Sequence, residues 1–312
     1  MKNASLTFAT AAVLCLSSLA TAQTTRTRSR NFNINTTGDA TSCGDLHVSS
    51  KAELAQLNQT FTLSKGEAPL IELNVADRGQ VHVRAWDHAD YSIEACKVAV
   101  ADTRAEADAI ARAIAVNHTA GNLSFTGPTT ENGEWMVVFF IKAPRDASVN
   151  LQAKNGPMDV KGVTGTVKMR AENGPVAVSD CTGNVDVQTK NGPIAFSGER
   201  GDVHLIAENG PIALKLTADT WNGSLLEAKS INGPLAVHMP ENFRSSMRLE
   251  TSGHAPLSCQ ATPCRTAWTD SSRGGRTLQM NGAGDAIRLS TQNGPVALQS
   301  GDDKAKDKSR VR

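Results

Sequence analysis

Aromatic residues make up only 4% of this 312-residue chain, with a single tyrosine. A core of any size must therefore be drawn from Val, Ile, Leu and Ala. An excess of charge is missing as well: 32 Lys and Arg stand against 31 Asp and Glu. Nucleic-acid phosphates call for a clear basic excess, so this balance speaks against a nucleic-acid partner. Long apolar runs are absent after the first 20 or so residues. The one at the start, about Leu6 to Leu19, is shorter than the roughly 20 residues of a spanning helix. Lys2 precedes it, and Ala20-Thr21-Ala22 follows before Gln23. That is the pattern of an export signal peptide over residues 1–22, cleaved after Ala22 and leaving no transmembrane segment. Leu14 before Cys15, where a small residue is required, argues against a lipid anchor. The expected location is periplasmic, cell-surface or secreted. Residues 23–30, with Arg26, Arg28 and Arg30, and the Lys/Arg-rich residues 301–312 read as flexible tails.

What the chain does have is a repeat. Asn-Gly-Pro occurs six times, at Asn155-Gly156-Pro157, Asn173-Gly174-Pro175, Asn191-Gly192-Pro193, Asn209-Gly210-Pro211, Asn232-Gly233-Pro234 and Asn293-Gly294-Pro295, and the first four copies stand 18 residues apart. Before each copy, apolar or small residues alternate with polar ones, as in Val149/Leu151/Ala153 and Val203/Leu205/Ala207; after each Pro the alternation resumes, as in Val176/Val178 and Ile212/Leu214. Alternation with period two marks a strand with one buried face. Each unit is thus strand, Asn-Gly-Pro corner, strand, looser corner.

So short a unit cannot bury its apolar face alone, whereas stacked units form a continuous core. The repeat predicts a mainly β fold: a single-chain β-solenoid over residues 146–300, with coils of about 18 residues. In the tight corner, Asn-Gly supplies positive φ, Pro has no N–H to give to a ladder, and stacked Asn side chains can bond from coil to coil. Just before the corner, Lys154, Glu172, Lys190 and Glu208 alternate in sign. Stacking would set opposite charges side by side and bias register more than it adds stability.

Residues 31–145 follow another pattern: short alternating runs, and one helix over about 102–117 with Ala107, Ile110, Ala111 and Ile114 on one face and Asp102 as its cap. An open solenoid end exposes unpaired strand edges, so this β-rich region is expected to cap the first coil. Later, an excess near Trp221 and a loop over about 255–275 interrupt the repeat. Trp221 and Trp268 are the candidate recognition residues, against the alternative that each covers a coil edge.

Five cysteines follow the signal. Cys259 and Cys264 bracket a short loop and Cys43 and Cys96 share the N-terminal region. These are the candidate disulfides, Cys181 being left as a buried free thiol, although connectivity is not readable from sequence. Metal ligation is the rival reading, but no second Cys/His pair stands at zinc-site spacing.

Phe140-Ile141-Lys142-Ala143-Pro144, followed by Val149-Asn150-Leu151-Gln152-Ala153-Lys154-Asn155-Gly156-Pro157 and its repeats, resembles the bacterial putative-adhesin β-strand-repeat family. The resemblance spans about Asn31 to Ser300, including Gly282-Ala283-Gly284-Asp285 before the last coil. It implies a β-solenoid envelope protein and no known activity.

Catalysis by parallel β-helices requires carboxylates, or a carboxylate with a base, converging on one patch, for acid/base work or to hold calcium. Asp159, Asp180, Asp186, Asp202 and Asp219 fall in different frames of the repeat, and His82, His88, His204, His238 and His254 are scattered. No Gly-x-Ser-x-Gly elbow is present. The expectation is an exported module with no catalytic, cofactor or metal site, adhesive or structural in role, whose partner is an envelope or surface polymer or protein. The alternatives are a periplasmic sensor or assembly factor acting through protein contacts and, less favoured, a polysaccharide-active enzyme.

Overall fold

The computed structural model describes residues 32–36, 40–131, 133–252, 255–271 and 275–301. The expected signal peptide and residues 23–30 lie outside them, as does the C-terminal tail beyond Gly301. The chain runs β1 (Phe32–Thr36), β2 (Leu46–Ser50), β3 (Glu53–Ser64), β4 (Leu70–Trp86), β5 (Asp90–Ala101), α1 (Arg104–Ala113), β6 (Ala115–Thr119), β7 (Asn122–Thr126) and β8 (Gly133–Pro144). The repeats follow as β9 (Ser148–Asn155), β10 (Met158–Lys161), β11 (Val167–Asn173), β12 (Val176–Ser179), β13 (Asn184–Asn191), β14 (Ile194–Gly198), β15 (Asp202–Ala207), β16 (Ile212–Leu216), β17 (Leu225–Ser230) and β18 (Leu235–Met239). The last elements are β19 (Met247–Ser252), β20 (Leu257–Cys259), β21 (Trp268–Asp270), β22 (Gly275–Met280), β23 (Ile287–Thr291) and β24 (Val296–Ser300).

The strand before each corner enters one sheet and the strand after it enters another, and each pairs in parallel with its equivalent a coil away. Sheet I has the order β6-β7-β4-β9-β11-β13-β15-β17-β23-β19-β22-β21. Sheet II has the order β3-β5-β8-β4-β10-β12-β14-β16-β18-β24-β20. The alternating apolar residues of both sheets meet in one continuous core. The fold is mainly β, with long parallel-strand sheets stacked like the coils of a solenoid.

The corners hold the register. Each later Asn donates its side-chain N–H to the Oδ1 of the Asn beneath it, from Asn173 on Asn155 through Asn293 on Asn232, at 2.8–3.1 Å. Each corner Pro offers its carbonyl to the ladder of the preceding coil, as Pro175 does to Met158 N–H and Pro211 to Ile194 N–H. Positive φ is needed only at Gly156 (122°) and Gly174 (149°) among the six corner glycines. At Gly192, Gly210, Gly233 and Gly294 the reason is close approach: a Cβ there would overlap the carbonyl oxygen of the glycine below. Thr189 and Ser230, facing inward before their corners, are buried and donate to Gly192 O (2.8 Å) and Gly233 O (2.9 Å). Lys154, Glu172, Lys190 and Glu208 stack as the register requires. Among the described residues, however, none of the four comes within ion-pair distance of another. The side-chain bonds at this edge are amide bonds.

The leader contains a coil without the motif. β4 pairs with β9 over Leu70–Val75, breaks register between Val75 and Arg78, and pairs with β8 and β10 over Gly79–Trp86. Gly79 lies directly under Gly156. Antiparallel β3, β5 and β8 extend sheet II beyond it, and α1 packs Ala107 and Ala111 against Ala55, Ala99 and Ala101. The helix is shorter than its apolar periodicity indicates. Thr103, not Asp102, is its cap, in a reciprocal box with Glu106, and Ala115 onward is drawn into β6 by pairing with β7. The β1–β2 ribbon covers the outer side of β5 and β8 and is tied down by Cys43–Cys96, with Cα atoms 5.6 Å apart.

At the other end the order in space departs from the order in sequence. β23 and β24, the last strands of the chain, lie between β17/β18 and β19/β20. β19 and β20 form the outermost coil, closed by antiparallel β22 and β21 and by Cys259–Cys264, with Cα atoms 5.9 Å apart. The stretch expected as a loop over about 255–275 contributes β20 and β21 to it. Both disulfides are compatible with an extracellular location. Among the described residues no helix is long and apolar enough to cross a membrane.

Gly210→Ala is expected to lower unfolding free energy by about 2–3 kcal/mol through forced overlap. Asn191→Ala, which removes two exposed amide bonds, is expected to cost about 1 kcal/mol. Urea titrations of the two variants check the ranking, and a Gly210→Ala protein as stable as the parent would contradict the close-stacked corner.

Candidate functional site

The outer faces of the two sheets differ in chemistry. On sheet I, outward positions carry mixed charge: Arg170 Nη2 lies 2.5 Å from Asp186, and His204 lies between Glu227 (3.2 Å) and Asp202 (3.4 Å). These groups neutralise one another along the face. On sheet II, the strands after the last five Asn-Gly-Pro corners each place one alanine outward, and register stacks Ala177, Ala195, Ala213, Ala236 and Ala297 into a single column. Beside it runs the column Ser179, Ser197, Lys215, His238 and Gln299. Because alanine projects so little, the column is the floor of a groove of about 420 Å³, within the usual size range of ligand sites. Exposed corner prolines flank the floor on the other side. At about 4.8 Å per strand, five alanines give it a length of roughly 19 Å.

The alanine column continues into a polar cluster. Asp159 stands opposite Ala177 on one side and His82 on the other. The Asp159 carboxylate accepts from His82 Nδ1 and from the Arg84 guanidinium. His82 is 4% exposed, its ring stacked on Phe140 with centroids 5.0 Å apart and its Nε2 3.5 Å from Gln80 Oε1. The sequence reading of His and Asp as scattered is corrected here: β4 is a coil, so His82 and Arg84 fall in register with Asp159 and Lys161. The available signal was the alternation at Val81/Val83/Ala85, which matches the post-corner frame. Both imidazole nitrogens face oxygens and the ring is buried, an arrangement that joins β4 to β10. Asp180, Asp186, Asp202 and Asp219 do not join this cluster, and among the described residues no group of three His, Cys, Asp or Glu could hold a metal ion.

The remaining sequence candidates separate. Trp221 is 6% exposed and packs against Phe196 with ring centroids 6.2 Å apart, so it fills core. Trp268 is 60% exposed on β21, at the open edge of sheet I. Cys181 is buried at a looser corner, where desolvation pushes its thiol up to about 11. His254 lies outside the described residues.

Asp159→Ala removes the carboxylate that binds both Arg84 and His82 on a largely buried face. Asp159 keeps 23% exposure, so the expected loss is about 2–3 kcal/mol, below the 3–5 of a fully buried pair, read as a lower urea midpoint. Asp87→Ala, which breaks an exposed pair with Arg145, should leave the midpoint unchanged. Thiol titration at pH 8 should find Cys181 unreactive in the native protein and reactive once in urea.

No family model and no curated protein matches the chain. Among solved structures it is similar to a putative cell adhesion protein from Clostridium sporogenes, at 8% identity and a TM-score of 0.32, over 79% of this chain and 100% of that one.

Proposed function

We propose that the protein is an exported, non-catalytic β-solenoid of the cell envelope that holds an extended envelope polymer along the alanine groove of sheet II. The observation that carries this reading is the repetition of the groove itself. Each coil from β12 to β24 contributes the same small apolar floor residue, and each adds a polar residue at the same rim position. A track with one chemistry per coil suits a ligand with repeating units better than a single small molecule. Its apolar floor would desolvate the flat side of such a chain, while Ser179, Ser197 and Gln299 offer hydrogen bonds along one margin. The neutral composition and the coil stacking suit display or docking, and the bonding of Asp159 to both His82 and Arg84 supports a structural part for that cluster.

The test is incubation of purified protein with peptidoglycan and a panel of insoluble polysaccharides, with assay of protein in the pellet and sugar in the supernatant. The expected result is pelleting without release, reduced about tenfold or more by Ala213→Arg, which sets a charged side chain on the groove floor. Released sugar would overturn the non-catalytic reading. Pelleting unaffected by Ala213→Arg would move binding off the groove, and no pelleting with any polymer would overturn the polymer reading.

A further inference from the structure

The two ends of the stack treat their open strands differently. At the C-terminal end the edges are β20 and β21, three residues each, hemmed in by the Cys259–Cys264 bridge and Pro263. Such short, stapled edges are how proteins prevent unwanted strand pairing. At the N-terminal end, β3 is 12 residues long and, among the described residues, pairs only with β5. Its sequence, Glu-Leu-Ala-Gln-Leu-Asn-Gln-Thr-Phe-Thr-Leu-Ser, contains no proline and one charge, Glu53 at its first position. The ribbon of β1 and β2 reaches Leu54 on the outer face, and Asn58, Thr60 and Thr62 stay exposed. A long edge with its one charge at the end is a template for another strand.

We propose that β3 is the interface for a second copy of this chain, paired antiparallel about a two-fold axis through Gln59. Directly opposed residues in an antiparallel pair share a face, so only registers that keep apolar against apolar join the two sheets. Centring on Gln59 sets Leu57 against Phe61, Ala55 against Leu63, Asn58 against Thr60, and Glu53 against Lys65, just past the strand end. The exposed pair of Lys65 with Asp146 of its own chain is then exchanged for one with the partner's Glu53. Centring one residue earlier sets Glu53 against Leu63, and one later sets Lys65 against Ala55. Both alternatives lose the charge match at each end of the interface. The same register places α1, which lies over Ala55, beside the partner's β6, whose His118 stacks on Phe61 with centroids 4.6 Å apart. The interface is self-complementary, as a two-fold contact must be.

Sedimentation velocity over a concentration series is expected to show dimer. Lys65→Glu should weaken the dimer about tenfold, and Glu53→Lys together with Lys65→Glu should restore it, as opposed charges are exchanged. Asn58→Lys with Thr60→Lys, which places lysines opposite each other at exposed positions, should leave folded monomer. In the Gln59→Cys protein, opposed Cα atoms at roughly 4.5–5.5 Å allow a disulfide between copies on oxidation, whereas Thr62→Cys should not link. A monomer at all concentrations overturns the proposal. So does a dimer that survives the paired lysines and fails to link through position 59.

Discussion

Everything in this structure depends on backbone closing on backbone at one edge. Six glycines and the leader's Gly79 stack so closely that a methyl group on any of the corner six would strike the carbonyl beneath it. The asparagines beside them bond in an unbroken series. Individually these amide bonds are worth about 1 kcal/mol or less at an exposed edge. Their larger effect is on register. With glycine over glycine, each inward Val, Leu or Ile lies over its equivalent, and a slip by one residue would turn the whole apolar set outward.

The same constraint accounts for the order of the last coils. β17/β18 carries an Asn-Gly-Pro corner, and the next chain segment, β19/β20, does not; in sequence, Ser252 is followed by Gly-His-Ala-Pro. The Asn-Gly-Pro coil at the end of the sequence docks on Asn232 and Gly233 instead, and Asn293 completes the series. The segment without the motif is left outside, where it needs to match on one side only. There Pro256 supplies the carbonyl for Val296 N–H that Pro295 supplies for Leu235. The coil β23/β24 is therefore held between β17/β18 and the outer segment β19/β20.

Much of this was legible in the sequence, because a period of 18 and an alternation of two are direct images of coil and strand. The leader with its helix, the inward positions and the mainly β class follow from the same patterns. What escaped has physical reasons. β4 turns its corner with Gly79 but without Asn-Gly-Pro, so the pairing that joins His82 and Arg84 to Asp159 left no motif to read. Coil order escaped because pairing partners are chosen by shape at the corner, not by proximity along the chain. Positive φ was expected of every corner glycine and is used at two of the six, since close packing alone excludes Cβ at the rest. The Lys/Glu alternation drew attention to charge at an edge where amides form the bonds.

Two different outer faces follow from one internal rule: a self-neutralised charged sheet and an alanine groove lie on opposite sides of a core that both share. The ordering of coils by their corners is the claim on which this arrangement rests, and a pair of engineered cysteines tests it. Glu227 and Arg288 are outward neighbours across β17 and β23, whereas Arg248 on β19 is one strand further out. With neighbouring strands about 4.8 Å apart, Glu227→Cys with Arg288→Cys should form a disulfide on mild oxidation, and Glu227→Cys with Arg248→Cys should not. Linkage of positions 227 and 248 in place of 227 and 288 would mean that the coils stack in sequence order, and would contradict the account.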